Sequence, residues 1–347
     1  MTFYQELQLN QAGSKSLIKG TKNQKEKIRH ILTYLLKVCL SVSFCTLFVT
    51  AYSMIFGTEN SIVGVVILLC VLSFRFTDFG IKTSDAMKIL PLIFAILAFG
   101  PRLANAYGPV FACIINMICI LALLVLGCHN VIYFNHFTLV LGYLLLYGYD
   151  VTGKTYLTRL FAMGIGLIIT MVVYYRNHRK QTYKRNLKDL FAEFHTSALR
   201  TRWQIKMSIA ISTAMLFATL LHFPRCMWVG IAVMSVTMPF QREIHERSKG
   251  RIWGNIFGAV LFIAIYYLLP KPLHSIIGIL GGIGVGFSAT YKWQAVFNSL
   301  GAMSVAVSYI GFPNAVIFRV INNAFGALYG LLFEKLCSIR LRVPAVS

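Results

Sequence analysis

Long apolar runs separated by short polar connectors occupy almost the whole chain. Twelve of them read as helices, near 31–56, 61–74, 86–100, 107–127, 130–149, 155–175, 205–222, 226–240, 252–269, 273–290, 293–311 and 313–336. A helix needs ~20 mostly apolar residues to cross the hydrocarbon of a bilayer. The second and eighth runs fall short of that length and are expected to sit inside the bundle or to cross it only in part. A polar stretch, YYRNHRKQTYKRNLKDLFAEFHTSALRTRW (174–203), interrupts the series after the sixth run. Leu187, Leu190, Phe191 and Phe194 recur in it at helical spacing, which predicts an amphipathic helix lying along the membrane. The fold expected is all-α, a polytopic membrane protein with twelve transmembrane helices in two parallel six-helix repeats. Its parts are a basic arm over 1–30, a first repeat over 31–175, a linker over 176–204, a second repeat over 205–336 and a tail over 337–347.

The two halves carry the same features in the same order. TYLTRLFAMGIGLIITMVVYY (155–175) and AVIFRVINNAFGALYGLLF (315–333) each hold one arginine, Arg159 and Arg319, followed seven residues later by Gly166 and Gly326. Lys37 matches Lys206, VGVVILLCVL (63–72) matches VGIAVMSVTM (229–238), and Lys88 matches Arg251. The offsets fall steadily, 169, 166, 163 and 160, as duplication with small deletions would give. An even number of spans per half makes the halves parallel, related by an axis along the membrane normal. A guanidinium at the centre of a membrane helix costs roughly 2.5–3.5 kcal/mol. Two of them at matching places therefore point to a site for something negative, with snorkelling to the headgroups as the competing reading.

Composition agrees with the pattern. The chain is 57% hydrophobic and 13% charged, with a mean hydropathy of +0.68. Its net charge of +22 would suit nucleic acid, but the distribution argues against that partner. With the N-terminus inside and alternating helices, the inner segments hold 26 basic residues and the outer loops four, Arg102, Lys154, Arg225 and Lys271. That asymmetry is the positive-inside rule, so the excess charge faces anionic lipid headgroups. The expected location is the plasma membrane, with both termini and the linker cytoplasmic. No cleavable leader is expected, because the first apolar run starts only near 31.

Chemistry-bearing motifs are sparse. None of the eight cysteines stands in a CxxC, and His129 and His136, seven apart, have no metal-ligand spacing, so no metal or other cofactor is expected. GILGGIGVG (278–286) lacks the spacing of a dinucleotide loop and reads as small residues that let helices approach. Ser41, Ser43, Ser212 and Thr213 have no nearby base, and no enzyme activity is expected. None of the 11 acids falls near mid-span. Glu334 is expected to pair with Lys335 or Arg340 at its helix end. If a proton drives transport, His136 or Asp150 is the group to carry it.

The segment CMWVGIAVMSVTMPFQREIHERSKGRIWGNIFGAVLF (226–262) resembles the fusaric acid resistance and aromatic acid exporter family of membrane proteins. The shared pattern is a tryptophan opening a short span, a proline near its end, a polar loop, then an arginine and a glycine pair, here Trp228, Pro239, Arg251, Gly254 and Gly258. The closing helix, Arg319 to Gly330, is similar too. The first half departs from the pattern, with no tryptophan at 61–64 and Pro91 within its third span. Plant aluminium-activated malate transporters resemble a single such half. The resemblance implies efflux of organic anions such as aromatic carboxylic acids. Members often carry an acid shortly after the closing arginine, where this chain has Asn322 and Asn323. The substrate-path candidates are therefore Arg159, Arg319, Asn322, Asn323, Lys37 and Lys206, on a basic-lined path between the repeats. Lys88 and Arg251 are expected to flank the cytoplasmic mouth. Expected partners are a small organic anion and membrane lipids, with a homo-oligomer or an accessory-subunit role left open. A passive anion channel and a non-transporting scaffold are the alternative readings.

Overall fold

The structure is a computed structural model, and it describes residues 2–239 and 244–340, with side chains as far as Cys337. Among the described residues there are fifteen α-helices and no strand. The arm forms α1 (Phe3–Gln8) and α2 (Gln11–Gly20). The first half continues with α3 (Gln24–Phe56), α4 (Ser61–Phe74), α5 (Thr83–Ala106), α6 (Pro109–Gly127), α7 (His136–Gly148) and α8 (Gly153–His178). After α9 (Leu187–Ala192), the second half holds α10 (Leu199–Leu220), α11 (Met227–Val236), α12 (Ile244–Leu268), α13 (Ile276–Phe287), α14 (Tyr291–Ile310) and α15 (Phe312–Arg340). Of the tail, 341–347 lie outside the described residues.

Each of the twelve apolar runs contains a helix, but among the described residues only seven helices are long and apolar enough to cross a membrane by length and composition: α3, α5, α6, α8, α10, α12 and α15. The runs at 130–149 and 273–290 are shortened because each opens with a 3-10 turn, Val131–Tyr133 and Lys271–Leu273, before α7 and α13 begin. The helix α14 has the length, but Lys292, Gln294 and Asn298 dilute its apolar face.

The chain packs as two compact units. The larger unit comprises Phe48–His245 and Phe325–Ser347. Its core includes Val66, Ile67, Ile93, Leu124, Tyr143, Met207, Met215 and Val229, drawn from α4, α5, α6, α7, α10 and α11. Its loops meet at two ends in alternation, as antiparallel neighbours require. At one end Asn135 donates to the Asp78 carbonyl, and Tyr183 donates to the Asp78 carboxylate at 2.8 Å. At the other, Arg102 pairs with Asp150 at 2.6 Å and Arg225 donates to the Gly148 carbonyl. The linker lies at the first of these ends, with most of the unit's loop lysines and arginines.

The linker is not one long amphipathic helix. Only α9 forms, opened by a capping box between Asn186 and Asp189, and Leu190 is buried in the core rather than laid on a membrane surface. The flanking chain is held by backbone partners: the Lys82 N–H donates to the Arg185 carbonyl and the Leu187 N–H to Asp85. Beyond α9, Glu193 accepts from Arg185 at 2.8 Å and Arg200 at 3.1 Å, and these bonds, Arg185 first, hold its carboxyl below the usual range against the effect of burial. Arg200 also donates to Nε2 of His129, whose ring burial and then the Arg200 charge push down to about 4. Folded His129 is thus neutral where the unfolded chain, with a pKa near ~6.5, takes up a proton. Stability is lost as pH falls from about 6.5 towards 4, and the depressed Glu193 adds loss in the same direction at lower pH. The thermal midpoint of the purified protein should fall between pH 7 and pH 5, and His129→Gln should flatten that fall. An equal slope in the variant would remove His129 as the cause.

The smaller unit comprises Met1–Leu47 and Glu246–Ala324. Here α1 and α2 are tied to α3 by Glu6 with His30 at 2.7 Å and by Lys37, which donates to the Leu9 carbonyl at 3.0 Å and Ser14 at 2.5 Å. Its apolar core centres on Phe262, Ile277, Leu300 and Met303. The helices α12, α13 and α14 touch backbone to backbone through glycines. A Cβ on Gly258 would lie 2.6 Å from the Val296 carbonyl, and one on Gly281 would lie 2.8 Å from the Phe297 carbonyl. The glycine-rich window at 278–286 is therefore a packing surface, as expected from its small residues.

Candidate functional site

In the smaller unit, three helices bring polar side chains together in an otherwise apolar interior. On α12, Ser248, Arg251 and Asn255 recur at spacings of three and four and share one helix face. Arg319, Asn322 and Asn323 do the same on α15, and α14 adds Tyr291 and Ser299. Arg251 is 8% exposed, Arg319 5% and Ser248 1%, while Asn255, Ser299, Asn322 and Asn323 are buried.

The two asparagines link the group. Asn323 donates to the Arg319 carbonyl at 2.7 Å and accepts from Arg251 Nε at 2.8 Å. Asn255 repeats the arrangement, donating to the Arg251 carbonyl at 2.7 Å and accepting from Ser299 at 2.8 Å. Each asparagine thus places one amide hydrogen on the second lone pair of the helix carbonyl four residues earlier and offers its oxygen to a neighbouring helix. Close approach makes these cross-helix bonds reachable: a Cβ on Gly254 would lie 2.6 Å from that of Ala295. Overpacking this seam costs ~1–3 kcal/mol or more. Gly258→Val, facing a backbone carbonyl that cannot yield, should lower the thermal midpoint by several degrees, and an unchanged midpoint would contradict the close approach of α12 and α14.

Arg251 is only partly satisfied. Its Nη1 lies 3.5 Å from the Tyr291 hydroxyl, and its buried Nη2 has no hydrogen-bond partner among the described residues. The Ser248 hydroxyl, one turn earlier, is likewise buried and unbonded among them. No carboxylate of the described residues lies within 4.0 Å of the Arg251 guanidinium. Buried donors of this kind are costly unless something accepts from them, and a guanidinium favours a planar oxyanion.

The other sequence candidates lie elsewhere. Arg159 is buried in the larger unit, donating to Asn60 at 3.0 Å, the Tyr149 carbonyl at 2.7 Å and the Glu59 carbonyl at 3.2 Å. It fastens the ends of α4 and α7 to α8, a structural use of the charge. Lys37 clamps the arm. Lys206 is bound to Glu334 at 2.6 Å, so that acid pairs across helices, from α15 to α10, where the sequence predicts a partner on its own helix end; the Arg340 side chain lies outside the described ones. Lys88 has a side chain 70% exposed and pairs with Asp85 at 3.0 Å. Arg251, its sequence counterpart, is instead interior and joins the Arg319 group rather than standing at an open mouth. Of the coupling candidates, Asp150 is held by Arg102, and His136 is buried among rings, 4.2 Å from Phe137 and 5.2 Å from Trp203. Among the described residues no cluster of three or more metal-ligating side chains exists.

Every member of the α12–α14–α15 group falls within one stretch of the chain that also matches a known family. Residues 213–333 match the family model described as fusaric acid resistance protein-like. The two segments that carried the resemblance, 226–262 and 318–330, lie inside the match, and the resemblance holds there. That family is one of membrane transport, and with seven span-length helices the chain is a multi-pass membrane protein. No curated protein and no solved structure matches the chain. Sequence reasoning picked out Arg251, Arg319, Asn322 and Asn323 but missed Ser248, Asn255, Tyr291 and Ser299. The signal for Ser248 was its place three residues before Arg251 on the same helix face.

Proposed function

We propose that the protein exports organic anions, such as aromatic carboxylic acids, across the plasma membrane. The observation that carries this reading is Arg251, a buried guanidinium with an unbonded Nη2, no carboxylate partner among the described residues, and Ser248 beside it. Arg319, linked through Asn323, adds a second positive charge. A path lined this way would attract anions and repel cations. Ser248 and Arg251 bind the carboxylate, Asn322 and Asn323 line the way past it, and the aromatic body of the substrate lies against neighbouring apolar helix faces. Two six-helix repeats, with both termini and the linker cytoplasmic, form the frame. Export then runs down the electrical gradient, which favours an anion leaving a negative interior by ~2.3 kcal/mol per charge per 100 mV. Asp150, neutralised by Arg102, is not needed for it.

The test is efflux from proteoliposomes loaded with benzoate or with benzamide, its neutral isostere, with voltage and pH gradient clamped separately. Voltage-driven loss of benzoate, with benzamide retained, is expected. Efflux of both, or of neither, would sink the reading. Unitary currents too large for a carrier cycle would make the protein a passive channel. Topology has its own check. A single cysteine at position 184, exposed in the linker, on a cysteine-free background should resist impermeant reagent added to intact cells and react once the cells are opened, and labelling from outside would reverse the orientation.

A further inference from the structure

A groove of about 690 Å³ lies on the larger unit where the start of α5 meets the end of α8. Met87, Ile168, Met171 and Val172 make it apolar along its length, and Tyr175, Arg176 and Arg179 stand at its α8 C-terminal end. Its α8 side faces outward. Tyr174 and His178 on the opposite side of α8 are buried, with His178 bonded to the Phe74 carbonyl, whereas Ile168, Val172 and Tyr175 are exposed. In a membrane-spanning chain such an apolar face meets acyl chains, and a tyrosine at the helix end sits at headgroup level.

Two arginines set the chemistry at the end of this groove. They lie three residues apart on one helix face, and neither guanidinium has a hydrogen bond or ion pair among the described residues. The acids nearest in the fold are already committed. Asp85 holds Lys88 and the Leu187 N–H, Asp189 caps α9, and Glu193 is shared by Arg185 and Arg200. The end of the groove is therefore positive without internal compensation, and it adjoins an apolar channel of the size of small-molecule sites. A zwitterionic headgroup brings its own ammonium beside the two arginines and offsets its phosphate, while an anionic headgroup offers the phosphate charge without that opposing cation.

We propose that this groove holds one anionic phospholipid, with an acyl chain along Ile168 to Val172 and its phosphate on Arg176 and Arg179. The lipid would brace the cytoplasmic end of α8 against α5, next to the place where the linker docks. The proposal is independent of what the protein transports.

The test uses the full chain, purified in detergent and titrated with phosphatidylglycerol or with phosphatidylcholine of the same acyl chains, counting bound lipid by native mass spectrometry. One tightly retained phosphatidylglycerol per chain is expected, and no retained phosphatidylcholine. The double variant Arg176→Gln, Arg179→Gln should weaken phosphatidylglycerol binding about 25-fold, roughly fivefold for each charge. Lys22→Gln with Lys25→Gln removes the same charge from the arm and should change it by less than about twofold. Met171→Trp, which fills the groove and keeps the charges, should also weaken it. Equal retention of both lipids would overturn the proposal. So would an equal loss in the arm variant, or displacement by glycerophosphate at the same concentration as by the lipid.

Discussion

Replacing Arg251 with methionine is expected to slow aromatic carboxylate efflux by ~30-fold or more. That loss corresponds to the lower part of the ~2–5 kcal/mol range for truncating one member of a buried, hydrogen-bonded charge pair. Methionine preserves most of the stem volume, so α12 keeps its packing while the charge disappears. Arg251→Lys restores the charge without the fork that bonds Asn323 through Nε and presents Nη2, and it should recover only part of the rate. Arg319→Met should act in the same direction, since it removes the second buried positive charge of the group. Lys88→Met is the control: its side chain is 70% exposed and paired with Asp85, so efflux should stay within about twofold of the starting rate. The thermal midpoint must be measured alongside. If Arg251→Met folds as well as the parent and exports benzoate at the parent rate, the buried guanidinium is not on the path.

How far this site could be read from the sequence depended on what each residue's neighbours were. The helical runs were legible because apolar length needs no partner to interpret, and every run contains a helix. Their crossing status was less so: two of them lose length to 3-10 turns at Val131–Tyr133 and Lys271–Leu273, which local hydropathy does not register. The six charged candidates looked alike in sequence, as cations in or beside apolar helices. The fold separates them by what accepts from them. Arg159 finds the carbonyls of Glu59 and Tyr149, Lys37 finds the arm, Lys206 finds Glu334 and Lys88 finds Asp85, whereas Arg251 finds a neutral asparagine. These partners lie as many as 128 residues away along the chain, so no window of sequence could have sorted them. The matching of sequence positions between the two halves also misleads at this level. Lys88 and Arg251 occupy matching positions, but Met163, where the second half has Asn323, offers no amide to hold a buried cation.

The largest stability effect is expected at Lys206 and Glu334. Both side chains are mostly buried, and the ammonium lies 2.6 Å from each carboxylate oxygen. Removing Glu334 leaves Lys206 as an uncompensated charge beside apolar helices, and removing Lys206 takes from Glu334 its partner on α10. Lys206→Met or Glu334→Gln alone should therefore cost ~3–5 kcal/mol. Glutamine, being neutral, strands the lysine, and methionine removes the ammonium that faces both carboxylate oxygens. The double variant Lys206→Met, Glu334→Leu removes both charges and fills similar space, so most of the loss should be recovered, because a buried ion pair replaced by apolar groups is often neutral or better. Thermal midpoints of the purified variants give the coupling directly as a double-mutant cycle. Efflux measured on the same samples then decides between two uses of the lysine. As a structural tie, Lys206 can be lost with Glu334 at no cost in rate. If the double variant is stable yet no longer exports benzoate, Lys206 acts on the anion, and its pairing with Glu334 is only how it rests between passages.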